Sequence, residues 1–175
     1  EIVSWSFMNS GYAHSFAAND NALPGALYLA NPIVENLDVM RPSILPNLIE
    51  AAGRNAAKGF TDTALFEVGP VFTAPGPEGE TTTASGVRSR HIGPRHWVSA
   101  EAHRHVDVFD AKADALAVLA KTGLSADKLQ VSRDAPTCYH PGRSGTLRQG
   151  KRVLAHFGEI DPDVLEQFRV AEPVA

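Results

Sequence analysis

The sequence predicts an α+β domain, with a mainly antiparallel sheet flanked by helices. Strand-like runs and helical patterns alternate irregularly along the chain, unlike the regular order of a parallel α/β protein. Two strand-like runs in the last third are joined by Gln149-Gly150-Lys151-Arg152, and a glycine at such a connection is typical of a β-hairpin. Nothing in the sequence resembles a βαβ phosphate-binding unit.

The length and composition predict a single domain over residues 1–175. The chain has 175 residues, of which 43% are hydrophobic and 21% are charged, and a domain of this size buries roughly two-thirds of its surface. No run approaches the ~18 apolar residues that a membrane span needs. Cys138 is the only cysteine, so an internal disulfide is excluded. We expect a cytoplasmic domain that makes no contact with membranes.

The first half of the chain contains the clearest helix. We expect a strand over residues 1–7, a second over residues 26–30, and a helix over residues 43–58 that Ser43 caps. The helix is predicted from apolar residues at helical spacing, namely Ile44, Leu45, Leu48, Ile49, Ala52 and Ala56.

A strand over residues 63–68 follows, and Gly69-Pro70 is expected to interrupt it. We expect Phe66 on this strand to be largely buried, because burying a phenylalanine side chain contributes roughly 1.5–3 kcal/mol. Residues 74–79 are rich in glycine and proline and predict a turn.

The second half predicts more strands and two further helices. Residues 64–68 and 153–160 are expected to be internal strands of the sheet. The remaining elements are a half-exposed strand over 84–92, a helix over 111–122 that Asp110 begins and Gly123 ends, a strand over 129–133, hairpin strands over 144–148 and 153–160, and a helix that starts at Asp161-Pro162.

Cys138 and His140 place a thiol near an imidazole, the pair that a cysteine nucleophile needs. The simpler interpretation is that Cys138 is a small buried hydrophobe. Directly after it, Pro141-Gly142-Arg143 could offer backbone amides and a guanidinium to an anion. We favour a structural turn in which Arg143 forms an ion pair.

Histidines and arginines gather between residues 88 and 105. Two histidine pairs on neighbouring strands could ligate zinc, but no cysteine accompanies them, and a solvated face is the simpler interpretation. The net charge of −4 argues against a nucleic-acid-binding surface over the chain as a whole. The residues are Arg88, Arg90, His91, Arg95, His96, His103, Arg104 and His105.

Glu67 interrupts the apolar run from Leu65 to Val68, where a buried carboxylate would need a partner. No second carboxylate stands at a spacing that predicts an acid/base pair. We therefore assign no catalytic, cofactor-binding or metal-ligating residue to this chain. The chain begins inside a strand-like run and ends without a capping residue, so we expect it to be a piece of a longer polypeptide.

Four segments of the chain carry a family pattern when they are taken in order. They are Leu29-Ala30-Asn31-Pro32-Ile33 followed by Val39-Met40-Arg41-Pro42-Ser43-Ile44-Leu45-Pro46; Ala64-Leu65-Phe66-Glu67-Val68-Gly69-Pro70-Val71-Phe72; Val106-Asp107-Val108-Phe109-Asp110-Ala111-Lys112; and Tyr139-His140-Pro141-Gly142-Arg143-Ser144 followed by Phe157-Gly158-Glu159-Ile160-Asp161-Pro162. In order and spacing they resemble the β chain of bacterial phenylalanyl-tRNA synthetases, in the region before its anticodon-recognition end.

The resemblance implies a class II aminoacyl-tRNA synthetase core fold that has lost catalysis and supports a catalytic α chain. Two α and two β chains would form an enzyme that charges tRNA(Phe) with phenylalanine, using ATP and Mg²⁺ that this chain does not itself bind. The resemblance also implies that residues 41–58 form or support the subunit interface. Structural or interface roles are expected for Arg41, Pro42, Leu45, Leu48, Glu67, Pro141, Gly142 and Arg143.

Two other functions stay open on the sequence alone. The chain could be a free-standing class II-like enzyme that forms an adenylate, which requires an arginine directly after the aromatic residue of the second matching strand. Thr73 follows Phe72 at that place. A more remote alternative is a metal-dependent hydrolase that uses the histidines.

Overall fold

A computed structural model describes residues 1–17, 23, 27–93, 97, 104–171 and 173–175. Within these residues the elements are β1 (Phe7–Met8), α1 (Ser10–Ala13), β2 (Val39–Met40), α2 (Leu45–Ala57), β3 (Thr63–Phe72), β4 (Glu80–Ser89), α3 (Val108–Lys121), β5 (Gln130–Ser132), β6 (Tyr139–Gln149), β7 (Arg152–Ile160) and α4 (Pro162–Gln167).

The strand ladders of the described residues are all antiparallel, as predicted. β1 pairs with β2, β3 pairs with β4, and β5, β6 and β7 form a sheet in that order. The main hydrophobic core lies between α2, α4 and one face of the β3–β4 pair, whereas α3 packs on the sheet of β5 to β7. The α+β class is therefore confirmed.

β3 continues through Gly69-Pro70, so the predicted interruption is wrong. The register runs without a break from Thr63 opposite Ser89 to Phe72 opposite Glu80. The backbone groups of even-numbered β3 residues point away from β4, as the Phe66 carbonyl shows by accepting the N–H of Ile2 at 2.9 Å. The N–H that proline lacks would have pointed to this outer edge, so Pro70 costs β3 no hydrogen bond to β4.

Two expectations about strand positions are wrong. Within the described residues, β3 has a full ladder only with β4, and β7 lies at the edge of its sheet, so neither is an internal strand. Phe66 is 49% exposed. Because side chains alternate along a strand, Leu65, Glu67 and Val71 face the core, whereas Phe66 and Val68 face the opposite side.

Helix α2 confirms the apolar stripe but begins two residues later than predicted. Leu48 and Ile49 have no exposed surface. Ile44 occupies the N-cap position, and the Ser43 hydroxyl accepts the Leu45 N–H at 3.2 Å. Ser43 therefore does contact the start of the helix, although from the residue before the cap.

The ends of α3 and α4 show how local capping sets helix boundaries. Asp107 is the N-cap of α3, and Asp110 takes the third helical position, so the prediction that Asp110 begins the helix is wrong. The two carboxylates form a capping box, each accepting a backbone N–H from the other residue. Asp161 caps α4 as predicted, by accepting the Asp163 N–H at 2.9 Å.

The remaining strand predictions differ mainly in their bounds. In place of the strand predicted over residues 1–7, the structure has only the short strand β1. Of the strand predicted over residues 26–30, Tyr28 forms an isolated bridge to Val39, and residue 26 lies outside the described residues. β4 starts four residues before the predicted strand and ends three residues earlier. The hairpin between β6 and β7 is confirmed, with Gly150 at a φ of 59° in its turn.

Candidate functional site

The most distinctive polar group in the described core is a buried ion pair between Arg41 and Glu67. Arg41 is 1% exposed and Glu67 is 3% exposed, and Arg41 Nη1 lies 2.8 Å from Glu67 Oε1. The same nitrogen donates to the Ser4 hydroxyl at 2.8 Å, and that hydroxyl donates to Glu67 Oε2 at 2.5 Å. Arg41 Nε donates to the Pro70 carbonyl at 2.8 Å. Burial is tolerated because both charges are hydrogen-bonded as well as paired.

Three chain segments bring this cluster together. Arg41 follows β2, and its backbone N–H donates to Ser6 while its carbonyl accepts from Phe72, each at 2.9 Å. It therefore joins the N-terminal segment to the outer edge of β3. A Cβ at Gly69 would lie 2.6 Å from Arg41 Nη2, so only a glycine leaves room for the guanidinium there.

Pro42, Leu45 and Leu48 follow Arg41 into α2. Pro42 and Leu45 are half-buried, and Leu45 packs against the main core, which contains Leu48. Arg54, six residues beyond Leu48, is 63% exposed and lies 3.1 Å from Glu50. The inner side of α2 is therefore committed to the chain's own core, and its outer side is the one open to contact.

Pro141, Gly142 and Arg143 lie within β6, so the predicted turn is wrong. The register of β6 against β7 shifts between Tyr139 and Ser144, which makes this stretch an irregular strand. Arg143 Nε lies 3.1 Å from Glu159 Oε2 on β7, and the arginine side chain is 52% exposed. The expected ion pair of Arg143 is therefore present, across two strands.

Cys138 belongs to the main core and is 4% exposed. Burial raises the pKa of its thiol to about 12, because the thiolate is poorly solvated there. The thiol is therefore protonated at neutral pH, which is the opposite of what a cysteine nucleophile requires. Its interpretation as a small buried hydrophobe is confirmed.

Two of the arginines between residues 88 and 105 bind aspartates of α3. Arg88 donates to Asp114 at 2.6 and 3.0 Å, and Arg104 donates to Asp110 at 2.8 and 2.7 Å. These charge-assisted bonds hold the pKa of Asp110 below its usual value, chiefly through Arg104. In this part of the chain the two guanidiniums attach α3 to its neighbours.

Two of the four histidines, His91 and His105, stack with their ring centres 4.4 Å apart. His91 Nδ1 lies 3.0 Å from Asp62 Oδ1, and His105 Nδ1 lies 3.1 Å from the Arg90 carbonyl. His96, His103 and Arg95 lie outside the described residues. Among the described residues, no group of three or more histidine, cysteine or acidic side chains is arranged to hold a metal ion, and no helix is long and apolar enough to cross a membrane.

Sequence reasoning singled out Arg41 and Glu67 but not the residues that complete their cluster. Ser4, Gly69 and Pro70 had been assigned only to strand or interruption. The sequence holds one signal for Gly69, which is its place inside an otherwise regular strand, two residues after a carboxylate. A glycine within a strand indicates that another group approaches the backbone closely.

Residues 1–175 match the family described as the phenylalanyl tRNA synthetase beta chain CLM domain. The chain belongs to this family. It is 50% identical over 174 residues to the phenylalanine–tRNA ligase beta subunit of Rhodospirillum rubrum and 48% identical over 175 residues to that of Paramagnetospirillum magneticum. These alignments cover 99% and 100% of the chain but 21% of each relative, so the chain spans about a fifth of their length.

Solved structures agree on the fold. Two structures of pyrrolysyl-tRNA synthetase from Desulfitobacterium hafniense align with 99% of this CLM-family chain, at TM-scores of 0.65 and 0.66 and 13% identity. The alignments cover 56% and 57% of those chains. The class II synthetase core fold that the resemblance implied is thereby confirmed.

Proposed function

We propose that this chain is a non-catalytic core-like domain of a phenylalanine–tRNA ligase β chain. It supports an α chain that charges tRNA(Phe) with phenylalanine. ATP and Mg²⁺ serve the whole enzyme, which contains two α and two β chains in the cytoplasm. The family match over residues 1–175 supports this assignment.

The observation that carries the non-catalytic part is the surroundings of Thr73. Adenylate formation needs a fixed cation at the α-phosphate. The resemblance to class II synthetases implies that an arginine directly after Phe72 would supply it. Thr73 stands there instead, and its N–H and hydroxyl both donate to the Gly79 carbonyl, at 2.9 and 3.2 Å. The hydroxyl is thus engaged in closing the β3–β4 turn, and it supplies no charge to a phosphate.

The scaffolding part rests on the region from Arg41 to the end of α2. The buried residues of this region hold the neighbouring elements together. Arg41 binds Glu67 of β3 and Ser4 of the N-terminal segment, and Leu48 packs α2 into the main core. We propose that this region supports the α-chain interface by fixing the shape of the surface, whereas its own buried residues do not touch the partner.

The experiment compares two substitutions on α2 in the full-length β chain, co-expressed with the α chain. Leu48→Ala removes buried side-chain volume and is expected to cost ~2–5 kcal/mol of stability, and to reduce the amount of α chain that co-purifies. Arg54→Ala, on the exposed side of α2, is expected to change neither the stability nor the amount of α chain that co-purifies. Loss of α-chain binding in the stable Arg54→Ala variant would instead place the partner directly on the helix.

A second measurement tests the catalytic assignment. Phenylalanine-dependent pyrophosphate exchange is expected to be absent from the full-length β chain alone and present after the α chain is added. Robust pyrophosphate exchange by the β chain alone would contradict the scaffold proposal and favour an adenylate-forming enzyme. Intact β chain that fails to capture any α chain would also contradict the proposal.

A further inference from the structure

Basic residues surround one end of the sheet formed by β5, β6 and β7. They are Lys121, Lys128, Lys151 and Arg152, and we call them the basic end. All four side chains are exposed, and among the described residues none of the four has an ion-pair partner. Residues 121–128 and 149–152 contain a single carboxylate, Asp127. Positive charge is therefore concentrated here in a chain whose net charge is −4.

The strand register brings cations to both sides of this end. Gln130 of β5 and Val153 of β7 both pair with Arg148 of β6, so the three residues form one row across the sheet. Neighbouring strands lie ~4.8 Å apart, so this row is only ~10 Å wide. Lys128 comes two residues before Gln130, and Arg152 comes one residue before Val153. The two cations therefore flank the end of β6.

A tight turn places a third cation at the tip of the β6–β7 hairpin. Gln149 pairs with Arg152, which leaves Gly150 and Lys151 as the whole loop. Gly150 has a φ of 59°, and a glycine with positive φ at the first position of a two-residue loop is typical of a type II′ turn. Lys151 and Arg152 are thus held on an ordered backbone, so less conformational entropy is lost when they bind a partner.

α3 brings the fourth cation to the same end. Lys121 is the last residue of α3. Leu124 and Leu129, which follow it, belong to one apolar cluster with Leu154 of β7. The connection from α3 to β5 therefore lies against the hairpin end of the sheet, and Lys121 stands at its start.

The composition of the basic end fits a polyanion better than a protein surface. Protein interfaces are enriched in aromatic residues and depleted in lysine. Here three of the four cations are lysines, and residues 121–128 and 149–153 contain no aromatic residue. A lysine ammonium group binds phosphate as a point charge. Because the rest of the chain carries net negative charge, a polyanion is attracted to this end and repelled elsewhere.

We propose that the basic end contacts the phosphate backbone of the tRNA that the whole enzyme charges. This inference rests on the proposed function, which makes tRNA a substrate of that enzyme. Contacts to phosphates position a nucleic acid but carry no sequence information directly. The basic end therefore contributes affinity for tRNA and does not discriminate between tRNAs.

The salt dependence of tRNA(Phe) binding tests the proposal, in the full-length β chain alone and with the α chain. Each lost phosphate contact reduces the slope of log Kd against log salt concentration by about 1. Lys151→Gln combined with Arg152→Gln is therefore expected to reduce the slope by about 2, and to raise Kd by on the order of tenfold at ~0.1 M salt.

The matched control removes the same charge away from the basic end. It combines Lys112→Gln, near the start of α3, with Arg169→Gln, which follows α4, and is expected to leave the slope and Kd unchanged. An unchanged slope in the variant of Lys151 and Arg152, an equal change in both variants, or a parent protein that binds no tRNA in either sample overturns the proposal.

Discrimination between tRNAs provides a second test. Because the contact is to phosphates, the Lys151 and Arg152 variant is expected to weaken binding of tRNA(Phe) and of a non-cognate tRNA by the same factor. A changed ratio of the two Kd values would mean that these side chains read bases, which contradicts the proposal.

Two further measurements separate this proposal from the proposed function. Phenylalanine-dependent pyrophosphate exchange requires no tRNA, so both this exchange and co-purification of the α chain are expected to be unchanged in the Lys151 and Arg152 variant. Loss of the α chain from this variant, with tRNA binding to the β chain alone intact, overturns the proposal and assigns the basic end to an acidic protein surface. Failure of the parent β chain to capture the α chain contradicts the proposed function, while tRNA binding to the β chain alone still tests the basic end.

Discussion

Two Arg–Glu pairs of the structure, Arg41–Glu67 and Arg143–Glu159, differ chiefly in their contact with water. The atoms of the Arg41–Glu67 pair lie 2.8 Å apart and those of the Arg143–Glu159 pair 3.1 Å apart. The first pair is 1% and 3% exposed, whereas Arg143 is 52% exposed. Similar geometry therefore has different consequences, because water replaces a lost partner at Arg143 but not at Arg41.

The largest effect is expected when the buried pair loses one member. Arg41→Met leaves the Glu67 carboxylate buried without its cation, which typically costs ~3–5 kcal/mol. The measurement is the free energy of opening from exchange of the Leu65 amide in the full-length polypeptide. The double variant Arg41→Met with Glu67→Leu is expected to recover most of the loss, since no charge is then stranded. If Arg41→Met alone costs less than ~1 kcal/mol, the cluster is not what holds this region together.

An intermediate effect is expected from crowding the buried guanidinium. In Gly69→Ala the new methyl group would lie 2.6 Å from Arg41 Nη2, so the ion pair must shift, at a cost of ~1–3 kcal/mol. Gly86→Ala on the paired strand is the control, because its nearest neighbour, the Leu65 carbonyl oxygen, is 3.5 Å away. Equal costs for the two variants would show that strand geometry, rather than Arg41, selects the glycine.

A small effect is expected at the exposed pair. Arg143→Ala should cost no more than ~1 kcal/mol, and ~1 M salt should remove the difference from the parent protein. Exchange of the Phe157 amide on β7 gives the local free energy. A salt-independent loss of several kcal/mol would mean that Arg143 serves a buried role despite its exposure.

No reaction at all is expected at Cys138 in the folded protein near neutral pH. Its pKa of about 12 lies above the ordinary thiol value of 9.0, so the folded state retains the proton between these values while the unfolded state loses it. Stability therefore falls as the pH rises from about 9 toward 12. Alkylation by iodoacetamide at pH 8, followed by mass spectrometry, should modify Cys138 only after unfolding. Rapid modification of the native protein would contradict its burial.

The sequence predicted best those elements whose signals are local. The stripe through Leu48 and Ile49, the glycine of the β6–β7 hairpin and the Asp161 cap each depend on residues a few positions apart. These signals identified α2, the hairpin and the start of α4, with errors of one or two residues at helix ends.

The sequence predicted poorly what depends on distant partners. Both faces of β3 carry apolar residues, so alternation alone does not show whether Phe66 or Glu67 faces the core. The choice is made by Arg41, 26 residues away, and Ser4, 63 residues away. The same holds for residues 141–143, where proline and glycine suggested a turn. This stretch instead lies inside β6, between the residues that pair with Ile160 and Gly158 of β7.

The cluster around Arg41 also sets an order of events while the chain is being synthesised. Ser4 and Arg41 leave the ribosome before Glu67, and at ~5–20 residues per second the 26 residues between Arg41 and Glu67 take on the order of seconds to translate. Until then the guanidinium has no counter-ion and stays hydrated. The segment that carries Ser4 therefore cannot close over the core before β3 has emerged, so it settles only after a strand that follows it in the sequence.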